Sequence, residues 1–218
     1  MPLPPDARTV YVALDPPEDD ARGRKHRLVR EVKRVIELVA HIDADEVDPA
    51  ALDAATEQTR ALADTLEPLP SLHAKGGLGA QNGPQGSLLE RSGISGRSNP
   101  LAPPVQWTVT DTVTRGSAVY SPAYEGPVGH VHGGFVAAAF DDLMGAAQLA
   151  SGRAGYTGTL TVKMLRPTPL GRRIDYEAGV ERTEGRKIWV WATSACDGER
   201  LAEATIVFIA PADGRQPR

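Results

Sequence analysis

With one cysteine, Cys196, among 218 residues, the chain cannot close a disulfide on itself and has too little thiol for a cysteine-based metal site. Cys196 is expected inside a strand, as a small buried hydrophobe. No stretch approaches the roughly 18 to 20 consecutive apolar residues of a membrane-spanning helix, and the opening MPLPPDARTV lacks the apolar core of a secretion signal. A cytoplasmic protein without a membrane partner is expected. There is no excess of positive charge either. The formal net charge is -4, which argues against a nucleic-acid partner. His130 and His132 flank Val131 and would face opposite ways in an extended chain, with no third ligand nearby, so neither a metal nor a cofactor is expected.

The charge that is present is uneven. Residues 1–67 carry 9 Lys and Arg against 15 Asp and Glu, whereas residues 105–218 carry 12 of each. Prolines 2, 4, 5, 16 and 17 make residues 1–20 an irregular arm. From Lys25 to Ile42, Leu28, Val32, Val35, Ile36, Val39 and Ile42 share an arc of about 120°, which predicts an amphipathic helix. Asp48 and Pro49 read as the cap and first position of a second helix, with Leu52, Ala55, Thr59, Leu62 and Leu66 on its inner face. Two such helices need another surface to cover them. Arg22, Arg24, Lys25, Arg27, Arg30, Lys33 and Arg34 cluster on the first helix and read as a solvated face, interrupted by Glu31 and Glu37.

Residues 68–104 hold 7 Gly and 6 Pro and read as a linker or an ordered wrap. Beyond them the texture changes. Val105, Trp107, Val109 and Val113 alternate with polar residues in the period of a half-buried strand. Further strands are expected at 116–121, 156–165, 173–182, 186–195 and 201–210, the last four joined closely enough to be antiparallel neighbours. Between the second and third lies a helix from about Gly133 to Ala150 whose apolar residues occupy nearly every side, the mark of a buried helix. The order predicts an α+β fold in which an antiparallel sheet wraps a central helix.

The chemistry concentrates in Gly126–Asp142. His132-Gly133-Gly134 stands where the buried helix begins, and glycines there leave backbone N–H groups open at a helix end that favours negative charge. Such a site can hold a carbonyl oxygen as it becomes an oxyanion. Asp141 and Asp142 sit within the same apolar helix, where a carboxylate is costly unless it is paired or functional.

HisGlyGly with an Asp nine residues after the His, the strand TyrThrGlyThrLeuThrValLysMetLeuArgPro and the hairpin GluGlyArgLys together resemble the PaaI-like acyl-CoA thioesterases of the hotdog superfamily. The resemblance covers Trp107 to Ala210. It implies a hotdog fold with an N-terminal helical extension, divided as arm and helices 1–67, linker 68–104 and thioesterase domain 105–211. It implies that the Gly133 amide polarises the thioester carbonyl, that Asp141 acts as base or nucleophile, and that Thr157, with Thr159 as the other candidate, places the water. Family members often carry an Asn six residues before the His as a second carbonyl donor. Here that position is Gly126, which leaves His130 as the alternative donor. His132 and Gly134 belong to the expected substrate-binding loop, and Arg166, Arg186 and Lys187 are candidates for the CoA phosphates.

Acyl-CoA hydrolysis is the reading favoured over a non-catalytic acyl-CoA sensor or carrier, which has no need of a carboxylate at the thioester, and over a dehydratase. On one continuous helix, the eight residues from Gly133 to Asp141 span about 12 Å, too far for both to reach one carbonyl carbon. A site shared between two chains, in a homodimer or homotetramer, is therefore expected.

Overall fold

The computed structural model describes residues 19–75, 88–109 and 113–212. The arm expected over residues 1–20 lies almost wholly outside these, as do residues 76–87 of the expected linker and Thr110 and Thr112 of the first expected strand. Two helices come first, α1 over Ala21–Ala40 and α2 over Pro49–Leu66, each closed at its start by an aspartate. The Asp20 carboxylate accepts from Gly23 N–H at 2.7 Å and that of Asp48 from Ala50 N–H at 3.0 Å, meeting donors that a helix start leaves unpaired. A short helix α3 follows at Leu88–Arg91. The remainder runs β1 (Val105–Val109), β2 (Val113–Val119), α4 (Gly133–Ala147), β3 (Tyr156–Met164), β4 (Arg173–Glu184), β5 (Lys187–Cys196) and β6 (Glu199–Ile209).

The six strands form one antiparallel sheet in the order β1-β2-β4-β5-β6-β3. α4 packs on it with Val136, Ala139, Phe140, Leu143, Met144 and Ala147 buried, the central helix of a hotdog fold. Beneath it, the Tyr120 and Tyr176 hydroxyls meet at 2.9 Å, and burial pushes the Tyr120 hydroxyl up to about 12. Cys196 ends β5 and is buried.

Two expectations are corrected here. The alternating run of Val105 to Val113 is not one strand, because Val113 already belongs to β2, which folds back on β1 with Val109 opposite Thr114. β3 and β4 are not neighbours. The turn at Gly171, with φ +67°, leads β4 to β2 while β3 pairs with β6, so β3 becomes an edge strand. A turn residue reports that the chain reverses, not which strands it joins.

The segment before β1 is an ordered wrap from α3 onward. Glu90 Oε2 accepts from Ser98 Oγ at 2.7 Å and lies 2.9 Å from His26 Nε2 of α1, which binds α1 to the wrap. The helices are less covered than their pattern predicts. Val29 of α1 is buried, but Val35, Ile36, Leu38, Val39 and Ile42 are exposed and α2 buries no residue. No helix among the described residues is long and apolar enough to cross a membrane.

Candidate active site

His132 caps α4, its Nδ1 accepting from Gly134 N–H at 3.0 Å. A ring nitrogen that accepts carries no proton, so the imidazole proton sits on Nε2. Phe135 N–H closes back on the His132 carbonyl at 2.9 Å. Of the first three amides of the helix, Gly133 N–H alone meets no acceptor among the described residues. A Cβ built on Gly133 would stand 3.0 Å from Met164 Cε, so the end of β3 walls this side of the donor, a neighbour that the sequence did not reveal.

Two turns further along α4 the neighbouring carboxylates part company. Asp141 accepts from Thr157 Oγ1 at 2.9 Å and from no other described group, which leaves its second oxygen available. Asp142 accepts from Ser92 Oγ and from Trp107 Nε1, each at 2.7 Å. A helix turns about 100° per residue, so adjacent aspartates look in different directions. Asp142 ties the wrap and β1 to the central helix.

A bulge turns Thr157, and not Thr159, towards the helix. Thr157 lies opposite Phe208 and Thr159 opposite Val207, so one extra residue, Gly158, enters β3 between them. Phe208 is buried in the core and Val207 faces the other way, so Thr157 turns to the helix and Thr159 away from it. Leu160, Val162 and Met164 then follow Thr157 on the helix side, opposite Ile206, Ala204 and Ala202.

The loop before α4 is held by its own backbone. Gly126 N–H donates to the His130 carbonyl at 2.9 Å, and a Cβ at Gly126 would stand only 2.7 Å from His132 Cα. A side chain there would push into the residue that caps the helix. His130 Nδ1 lies 2.8 Å from the Val128 carbonyl, which can only accept, so that nitrogen carries the proton and the neutral ring has no second N–H for a substrate.

The three basic candidates are not together. Arg166 pairs with Glu199 at 2.7 Å beside the β5–β6 turn. Arg186 donates from Nε to the Ala210 carbonyl at 2.8 Å, and the Lys187 ammonium stands over the Trp189 ring, both at the β4–β5 turn. The length of β5 separates the two groups. Pairing of Tyr156 with Ile209, and of Ile209 with Lys187, sets Thr157 and Asp141 at the Lys187 end, while Met164 and Gly133 lie towards the Glu199 end.

Residues 121–209 match the family model described as the acyl-CoA thioesterase N-terminal domain. Over 90 residues the chain is 37% identical to acyl-coenzyme A thioesterase THEM4 of Xenopus laevis, a match covering 40% of this chain and 40% of that protein. The chain thus spans well under half the length of that relative. A crystal structure of a thioesterase superfamily protein superposes with a TM-score of 0.71 and 25% identity, covering 89% of this chain and 97% of its own. That of zebra fish thioesterase superfamily member 2 superposes at 0.50 and 14% identity, over 57% of this chain and 91% of its own, a likeness of fold alone.

Proposed function

Since this chain belongs to the hotdog-fold thioesterases, we propose that it hydrolyses acyl-CoA thioesters to the free acid and CoA. The observation that carries this reading is the Thr157–Asp141 contact on the side of α4 that faces the open edge of the sheet. A carboxylate oriented by a hydroxyl, with one oxygen unspent, is what a hydrolase needs and a carrier does not.

Gly133 N–H, at the positive end of α4, donates to the thioester oxygen and stabilises the charge that develops there. Asp141 takes a proton from water as the water oxygen bonds to the carbonyl carbon, or attacks that carbon itself to give an acyl-aspartyl anhydride that water then cleaves to the free acid. Thr157 holds the carboxylate in line. Collapse of the tetrahedral species expels the CoA thiolate, which takes up a proton. With the N–H of Gly126 already spent and His130 Nδ1 turned to Val128, Gly133 is the principal donor.

The site is shared between two copies of the chain in this reading. α4 is continuous from Gly133 to Ala147, so the amide and the carboxylate stand about 12 Å apart in one chain. The outer edge of β3 is unpaired among the described residues, and exposed Tyr156, Met164 and Leu165 lie along it or just beyond it. Antiparallel pairing of two β3 strands about a two-fold axis between Leu160 and Thr161 would set Thr157 of one chain against Met164 of the other. The Asp141 carboxylate would then approach the partner's α4 start, twice per dimer. The division into extension 1–67, linker 68–104 and catalytic domain 105–211 belongs to the same proposal. So does a cytoplasmic setting. The test is steady-state thiol release over a panel of acyl-CoA chain lengths. Turnover with any member supports hydrolysis; stoichiometric binding without thiol release from any of them would make the protein a carrier.

A further inference from the structure

Away from the active site, α1 and the wrap enclose a groove of about 630 Å3, within the range of small-molecule sites. Its floor is apolar, with Val29 and Trp107 each 6% exposed and Pro103 and Pro104 beside them. Its rim is cationic. Arg30 and Lys33 stand three residues apart on one face of α1 and both line it. Arg97 lines the groove too and is not without a partner, His26 is taken up by Glu90, and Arg34, outside the groove, by Glu31. Arg30 and Lys33 have no ion-pair partner among the described residues. Lys33 is half-buried, and desolvation lowers its pKa. The groove is also lined by Ser95, which is 5% exposed and whose buried hydroxyl finds no hydrogen-bond partner among the described residues. A buried polar group without a partner is uncommon and points to a missing one.

We propose that this groove binds a phosphate-bearing small molecule, its anion held by Arg30 and Lys33 with the Ser95 hydroxyl, and its flat or apolar body laid against Trp107 and the two prolines. Two cations and a hydroxyl suit a di- or polyanionic phosphate, and the guanidinium fork matches its oxygens. Of the basic cluster of α1, Arg30 and Lys33 thus face this groove. The phosphate has two conceivable sources, the nucleotide half of a CoA ester or a separate phosphorylated metabolite, and the chemistry of capture is common to both.

The intact protein is titrated with ADP and with inorganic pyrophosphate by calorimetry, a readout that does not depend on turnover. Saturable one-site binding is expected, weakened about tenfold or more by Arg30→Gln and by Lys33→Gln, as loss of a charged hydrogen bond does. Ser95→Ala should weaken it less, and Arg34→Gln, on the solvent side of the same helix, should leave it unchanged. Competition by CoA, with a KM for acyl-CoA but not for acyl-pantetheine raised in Lys33→Gln, assigns the groove to the substrate's nucleotide. Undiminished ADP binding in saturating CoA assigns it to a separate ligand. Absence of binding at millimolar ADP and pyrophosphate overturns the proposal, as does binding that Arg30→Gln and Lys33→Gln leave intact or that Arg34→Gln weakens equally.

Discussion

At one end of β3, the Thr157 hydroxyl holds the Asp141 carboxylate at 2.9 Å; at the other, Met164 lies against Gly133, whose N–H is open. One edge strand thus borders both halves of the proposed chemistry and keeps them apart. The carboxylate end is set by a side-chain hydrogen bond and a bulge, the amide end by backbone geometry and a capping histidine. The difference teaches where each end is vulnerable. Losing the charge breaks the first without moving an atom, whereas adding bulk breaks the second without removing a charge.

The largest effect is expected at the carboxylate. In Asp141→Asn, Thr157 can still donate to the amide oxygen, so the fold and acyl-CoA binding persist while the base or nucleophile is gone. Turnover should fall at least about a hundredfold. Stopped-assay kinetics with a matched binding isotherm check it; wild-type turnover in this variant, with loss in Asp142→Asn, would reverse the roles.

At the amide end, Gly133→Val should also cost about a hundredfold in kcat, the scale of losing one oxyanion donor. The thermal midpoint should change little, since the nearest atoms belong to the flexible end of Met164. Unchanged turnover in a folded protein would leave this glycine a packing role only.

Asp142 separates stability from chemistry. Its carboxylate accepts from both Ser92 and Trp107, and an asparagine can accept from only one of them through its oxygen while turning N–H groups on the other. Asp142→Asn should lose about 1.5–3 kcal/mol of stability, the value of a hydrogen bond to a charged group. Denaturant unfolding measures it, and a per-site turnover close to wild type in the folded fraction completes the contrast with Asp141.

Much of this site was legible in the residues, for physical reasons that differ by element. Asp48-Pro49 announced α2, because a capping carboxylate and a preset φ act locally. HisGlyGly announced an amide at a helix start, though not that His132 would occupy one of the two. Gly158 carries a bulge that the unbroken strand expected at 156–165 did not include, and the bulge turns Thr157, not Thr159, to the helix. What was not legible is non-local. The pairing of β3 with β6 rather than β4 depends on the whole sheet, and Ser92 and Trp107 meet Asp142 from 50 and 35 residues away. The amphipathic period of α1 and α2 was visible as well. A period reports that a face exists, not that this chain covers it, and Val39 remains 61% exposed.

The separation along β3 is put to its sharpest test by mixing chains. A Gly133→Val chain lacks the amide end and an Asp141→Asn chain lacks the carboxylate end, so each is inactive alone. If a site takes its amide from one copy and its carboxylate from the other, a mixed dimer has one site with both lesions and one with neither. Random pairing after subunit exchange makes half the dimers mixed, each with one of two sites intact, so about a quarter of wild-type activity should return. This is the smallest of the four effects and the most specific, because neither parent can produce it. Exchange is verified independently by mass-labelled chains in native mass spectrometry. Verified exchange without recovery would mean that each copy completes its own site, and α4 would then have to break or bend between Gly133 and Asp141 to bring them to one carbonyl carbon.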